Sequence, residues 1–224
     1  MRGLLAVIAV GCDGCPSEAV RQKLGRQTLF ERAVQQVAEA GPNQLLASLP
    51  AVDLAPLARS CGVDPLVRPS GASTLEAAIA HALGHAAGGT SHILAVDPLV
   101  PLRRPGRLAQ ALVLAVREGA DCVFSCHRES SLLWHRSPMG LVPYFDPARP
   151  PGRIRHADAL PWLREDGGFY LLDAAAFRQT GSRHGGRVLP LEIDAGEAVA
   201  AVDAAGLAVC RALLAERSRA AARA

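Results

Sequence analysis

Apolar residues run unbroken from Leu4 to Val10, which predicts a buried strand. A loop containing Gly11, Gly14 and Pro16 follows. Next comes an amphipathic helix, Thr28–Ala40, with Leu29, Ala33, Val34 and Val37 on one face. Short apolar runs and helix-length segments then alternate. Strands are expected at Gln44–Leu49, Pro65–Arg68, Ser91–Val96 and Asp121–Ser125. Helices are expected at Leu54–Cys61, Ser73–Leu83 and Arg104–Glu118, the last closed by Gly119. This alternation means βαβ units and a mostly parallel sheet, whose ligands bind beyond the carboxyl ends of the strands.

After Cys126 the rhythm changes. Leu132–His135 and Gly140–Phe145 read as strands of a small β excursion, and Asp146 to Pro161, rich in Pro and Arg, reads as a loop. Phe169–Leu172 is a further strand, Asp173–Thr180 a short helix, and Val188–Leu191 an extended piece. Val199–Val202 is expected as a last strand and Ala204–Arg217 as the closing helix. No internal repeat or linker divides the chain, so one domain over residues 1–224 is expected, with 132–161 as its excursion and loop.

Length and composition fit this picture: 224 residues suffice for one α/β core, half are hydrophobic and a fifth charged. The net charge of +3 is too small to argue for nucleic acid. Arg2 before the apolar run superficially suggests an export signal, but the run is short and is followed by Gly, Cys and Asp, so it reads as a strand. No stretch approaches the roughly 20 apolar residues needed to cross a bilayer. A cytoplasmic location and reduced cysteines are expected for the six present.

Several segments, in order, resemble the acylneuraminate cytidylyltransferases, the CMP-sugar synthetases. Gly25-Arg26-Gln27-Thr28-Leu29 is similar to that family's Gly-Lys-Pro-Leu turn, and Gly71-Ala72-Ser73-Thr74-Leu75 to its Thr-Ala-Ser-Ser-Leu segment. Asp97-Pro98-Leu99-Val100-Pro101-Leu102-Arg103 resembles Gln-Pro-Thr-Ser-Pro-Leu-Arg, and Asp121-Cys122-Val123-Phe124-Ser125 resembles Asp-Ser-Val-Val-Ser. Glu165-Asp166-Gly167-Gly168-Phe169-Tyr170 resembles Glu-Asn-Gly-Ala-Ile-Tyr, and Ala200-Ala201-Val202-Asp203 resembles Val-Asp-Ile-Asp. The resemblance spans about Leu4 to Ala215. It implies a Rossmann-like, three-layer nucleotidyltransferase fold and a homodimer supported by the β excursion. It also implies transfer of CMP from CTP to a sugar acid or similar acidic acceptor, with pyrophosphate released and Mg²⁺ as cofactor. The alternative on the same fold is a non-catalytic nucleotide-binding or scaffold protein.

On this resemblance Gly11 and Gly14 cradle phosphate through backbone amides, with Asp13 and Arg26 beside the nucleotide. Ser73 and Thr74 touch the nucleoside or, equally, cap the helix that follows. Asp97 and Asp203 hold Mg²⁺, against the plainer readings of a turn residue before Pro98 and a helix N-cap. Arg103 steadies an anion or is simply a solvated arginine. The loop departs from the family: its arginine falls at Ala9, its two lysines at Asp13 and Glu18, and its asparagine at Ala19. Each carboxylate at ~4 Å from a phosphate costs roughly 1 kcal/mol in water and more when desolvated. Either Arg21, Lys23 or Arg26 compensates, or Asp13 holds a Mg²⁺. Cys12-x-x-Cys15 with Cys122-x3-Cys126, or His81-x3-His85, suggests metal or redox chemistry, against the plain reading of buried cysteines. The basic stretch Arg149 to Arg155, with His156, reads as a solvated loop or one that reaches toward acceptor or partner.

Overall fold

The computed structural model describes residues 3–129, 134–143 and 162–223. The loop expected at 146–161 therefore lies outside the described residues, as do both ends of the expected excursion strands at 132–133 and 144–145.

The chain runs β1 (Leu4–Ala9), a 3-10 turn (Ser17–Arg21), a tight hairpin of β2 (Lys23–Leu24) and β3 (Gln27–Thr28), then α1 (Leu29–Ala38) and β4 (Gln44–Leu49). A second 3-10 turn (Val52–Leu54) leads into α2 (Ala55–Ser60), β5 (Asp64–Val67), α3 (Leu75–Gly84), β6 (His92–Val96), α4 (Arg107–Glu118) and β7 (Cys122–Glu129). The hairpin β8 (Trp134–Ser137) and β9 (Gly140–Pro143) precedes β10 (Trp162–Asp173), α5 (Ala174–Thr180), β11 (Val188–Glu192) and α6 (Ala204–Ala221).

Seven strands form one sheet in the order β11-β7-β10-β6-β1-β4-β5. All neighbours pair in parallel except β10, which is antiparallel to both β6 and β7. Side chains alternate across β1: Leu4, Ala6, Ile8 and Val10 join one core with α1, α2, α4 and α6, while Leu5, Val7 and Ala9 join a second with α3 and α5. An apolar run without polar interruption is thus a strand covered on both faces, and the fold is a three-layer α/β architecture.

Helix starts follow local chemistry. Thr28 and Glu31 form a capping box on α1, Thr74 caps α3, and Asp173 caps α5. The helix expected from Arg104 begins at Arg107, because Pro105 disfavours helical backbone before it and Gly106 enters at φ 80°. Phe169–Leu172 proves to be the end of a 12-residue strand. The Glu165–Gly168 run hid it, since the pairing with β7 shifts register between Glu165 and Tyr170. Val199–Val202 is not a strand. Val199 and Ala201 pack on the first core without a ladder, and bonds from the Ala201 amide to Leu99 O (2.7 Å) and from Cys210 Sγ to Val199 O (3.6 Å) tie the segment down. Trp134, Met139, Leu141 and Leu163 leave apolar surface exposed on the β8–β9 hairpin and the β10 arm. No described helix is long and apolar enough to cross a membrane.

Candidate functional site

The chain lays β4 and β5 on one side of β1 and then returns to place β6 on the other. Such a reversal opens a crevice at the carboxyl ends of the two strands. A cavity of about 310 Å³ lies there, lined by Ala9 at the end of β1, Cys12, Asp13 and Cys15 from the following loop, and Ala95, Asp97 and Val100 at the end of β6. Leu75, Glu165, Asp166, Gly167, Tyr170, Arg183, Ala200 and Val202 close it.

The loop is shaped by left-handed backbone at Gly11 (φ 63°), Asp13 (φ 52°) and Gly14 (φ 83°). A Cβ at Gly11 would sit 3.0 Å from that of Ser17 and 3.2 Å from Pro50 Cγ, so glycine is required for space as well as backbone. The Cys15 amide donates to Cys12 O (2.9 Å), closing a turn with both central residues at positive φ. Within the described residues the amides of Gly11, Cys12 and Gly14 donate to nothing. Arg68, 4 % exposed, clamps the loop from below. It donates from Nη2 to Val10 O (2.8 Å) and Gly11 O (3.3 Å), from Nη1 to Ser48 O (2.8 Å), and from Nε to Ala72 O (2.9 Å).

The two loop carboxylates do not stand unpaired. Asp13 receives the Leu75 amide at the start of α3 (3.2 Å) and pairs with Arg183 Nη1 (2.7 Å), while its own amide donates to Ser73 O (2.8 Å). Glu18 is exposed and pairs with Arg21 (3.2 Å), which also bonds Asp53. Arg21 and Arg26 therefore lie outside the cavity lining, Arg26 in the exposed turn between β2 and β3. Thr74 spends its hydroxyl capping α3, accepting the Ala77 amide (3.1 Å), and Ser73 contributes its carbonyl.

Asp97 is partly buried, and burial pushes its carboxyl up to about 6 against the Leu99 amide (2.8 Å) that bonds Oδ1. Cys15 Sγ lies 3.9 Å from Oδ2. Burial also raises both Cys12 and Cys15 to about 11, so neither is a ready thiolate. Arg103 is buried rather than solvated. It bonds Asp97 O (3.2 Å), Gly168 O (3.0 Å) and Gln36 Oε1 (3.0 Å), locking the end of β6 to β10. Asp203 accepts the Gly206 amide (2.7 Å) as the N-cap of α6 and lies outside the cavity lining, next to Val202 at its rim. Mg²⁺ favours few carboxylates with phosphate and water, and Asp97 supplies such a hard donor within the cavity. Cys122 packs in the second core and Cys126 Sγ faces Leu191 O (3.8 Å). The His81 and His85 rings stack edge to face at 4.6 Å. Among the described residues no group of three or more His, Cys, Asp and Glu side chains is placed to hold a metal ion.

Sequence reasoning missed the far wall. Arg183, from the segment after α5, lies with its guanidinium carbon 5.2 Å from the Tyr170 ring centroid. Tyr170 OH donates to Glu165 Oε1, and Glu165 Oε2 meets His184 Nε2 at 3.0 Å. Asp166 accepts Ser125 Oγ (2.5 Å) and the Gly168 amide (2.6 Å) with Oδ1, and its Oδ2 is buried without a partner. The one signal was the acidic-glycine run 165–168 inside a strand; nothing local marked Arg183.

No protein-family model matches the chain, and no curated protein matches it in sequence. Solved structures do match in fold. The 4-diphosphocytidyl-2C-methyl-D-erythritol synthase of Anaerococcus prevotii superposes with a TM-score of 0.69 at 12% identity, covering 95% of this chain and 98% of that one. A CMP:2-keto-3-deoxy-manno-octonic acid synthetase complexed with CTP gives 0.65 at 11%, covering 96% and 98%. The 2-C-methyl-D-erythritol 4-phosphate cytidylyltransferase of Thermus thermophilus gives 0.61 at 16%, covering 94% and 97%. At these identities the likeness is one of architecture, and the chain has the mostly parallel, three-layer nucleotidyltransferase fold.

Proposed function

We propose that this protein is a nucleotidyltransferase that moves CMP from CTP to an acceptor hydroxyl and releases pyrophosphate. The observation that carries the reading is the cavity at the β1–β6 reversal, where a glycine loop with unspent amides faces a strand-end carboxylate. Phosphoryl transfer asks for positioning and charge neutralisation more than covalent help. Asp97 would hold Mg²⁺, which supplies neutralising charge to the phosphates when bound. The acceptor is assigned to the sugar acids or similar acidic acceptors on the resemblance, with Glu165 of the far wall facing its hydroxyls. The exposed apolar arm around Trp134, Met139 and Leu141 is assigned to a homodimer contact, which sedimentation of Leu141→Glu tests.

A non-catalytic role has one observation in its favour: Asp13 fills the α3 N-terminus with a side-chain carboxylate where a phosphate would otherwise fit. Calorimetric titration with CTP and Mg²⁺, followed by pyrophosphate release with a panel of sugar acids, separates the two. Binding with turnover is the expected result. Binding without turnover on any acceptor favours the non-catalytic role, and no binding of CTP or of any other nucleoside triphosphate ends the transferase reading.

A further inference from the structure

A cavity that takes a triphosphate needs a cation, and the loop that should supply one carries Asp13 and Glu18. The arginines close to the loop in sequence do not reach the lining: Arg21 is held by Glu18 and Asp53, and Arg26 stands in an exposed turn. Arg68 is spent on carbonyl oxygens beneath the loop. Among the described lining residues the one lysine or arginine is Arg183, which arrives from the segment after α5.

Three contacts fix Arg183. Its Nη1 bonds Asp13 Oδ2 at 2.7 Å, its Nε faces Glu76 at 3.4 Å without a hydrogen bond, and its plane lies over Tyr170. Nη2 makes no hydrogen bond among the described residues. The side chain is 21 % exposed, so its charge is partly desolvated and a contact to it is strengthened. Asp13 in turn is fixed by the Leu75 amide and sits at the centre of the loop whose Gly11, Cys12 and Gly14 amides are unspent. One carboxylate thus carries a guanidinium to the mouth of an amide-lined loop.

We propose that Arg183 is the phosphate-binding cation of this site, replacing from the far end of the chain the lysines its loop lacks, with Asp13 as its tether. The proposal rests on the reading of the cavity as a nucleotide site. Its ligand is a phosphate chain, CTP or inorganic pyrophosphate, which an arginine fork grips through paired oxygens. The sign of the Asp13 charge then stops being an obstacle: it is consumed in placing Arg183.

The test is calorimetry of the full chain with inorganic pyrophosphate and with CTP at fixed Mg²⁺, at low and high salt. Arg183→Gln is expected to weaken pyrophosphate binding about 10- to 100-fold, the worth of a charge-assisted contact, and to flatten its salt dependence. Arg183→Lys keeps the charge without the fork and is expected to recover part of the loss. Should Arg183→Gln fail to fold, Arg183→Lys alone must bind pyrophosphate more weakly than the unaltered chain. Asp13→Asn separates tether from repulsion: if Asp13 positions Arg183, affinity falls; if Asp13 merely repels phosphate, affinity rises and the tether is overturned. Unchanged binding in Arg183→Gln overturns the proposal while leaving the nucleotide reading intact. Failure of the unaltered chain to bind CTP or pyrophosphate overturns that reading, and this proposal with it.

Discussion

Burial raises the Asp97 carboxyl to about 6, well above the usual carboxylate range, while the Leu99 amide, Arg103 and Cys15 act in the opposite direction. A carboxyl raised on folding binds its proton more tightly in the native state. Its stability contribution is therefore full at low pH and is lost as pH rises through about 6. The effect is on the order of a few kcal/mol at most, because Asp97 keeps some surface open to the cavity. Glu197 slopes the other way. Burial would raise it, but Arg107 (2.7 Å) and the Arg104 amide (2.8 Å) hold it low, so its contribution is lost as pH falls. Asp97→Asn isolates the first effect. The stability difference between Asp97→Asn and the unaltered chain, from urea unfolding with chelator, should grow in the variant's favour between pH 4 and 7. A flat difference would remove the raised carboxyl.

At the scale of elements, the site depends on strand ends being tied to one another. Arg68, on the segment after β5, joins the ends of β1 and β4 to the stretch before α3. Among the described residues it pairs with no carboxylate, so its loss exposes carbonyl oxygens rather than a counter-charge. Arg68→Met should lower unfolding stability by about 3–5 kcal/mol and weaken the proposed CTP binding with it, measured by urea unfolding and calorimetry. Asp203→Ala should cost about 1 kcal/mol, the usual worth of an N-cap, on the same unfolding assay. A metal role for Asp203 would add a fall in Mg²⁺ affinity to that loss. These two residues also mark how far the sequence could be read. Strands such as β1 and β6 announce themselves by apolar runs, and Thr28, Thr74 and Asp203 by their places before helices, because those signals are local. Arg68, Arg103 and Arg183 look in sequence like surface arginines. Their roles are set by carbonyls and carboxylates up to 170 residues away, which no periodicity records. Val199–Val202 misleads for the same reason, since a short apolar run needs a strand alongside it to become one.

Across the whole molecule, an open sheet leaves two edges, β5 and β11, each paired on one side only. Unpaired edge amides invite pairing with another chain. Both edge strands carry a proline, Pro65 and Pro190. Arg68 donates its amide to Leu49 O on β4, so by alternation Asp64 and Leu66 face β4 and Pro65 faces outward. Likewise the Ile193 amide donates to Cys126 O, so Leu189 and Leu191 face β7 and Pro190 faces outward. Each proline removes a donor where the sheet could grow and none from its own ladder, the position in which proline is tolerated in a strand. Replacing both, Pro65→Val with Pro190→Val, restores an amide at each edge without touching a bond inside the sheet. The double variant should therefore leave the proposed CTP binding unchanged yet self-associate faster on warming, read by light scattering at matched concentration. Unchanged scattering would mean that other parts of the chain already guard those edges. A loss of the proposed CTP binding would instead show that the edge strands hold the central crevice in shape.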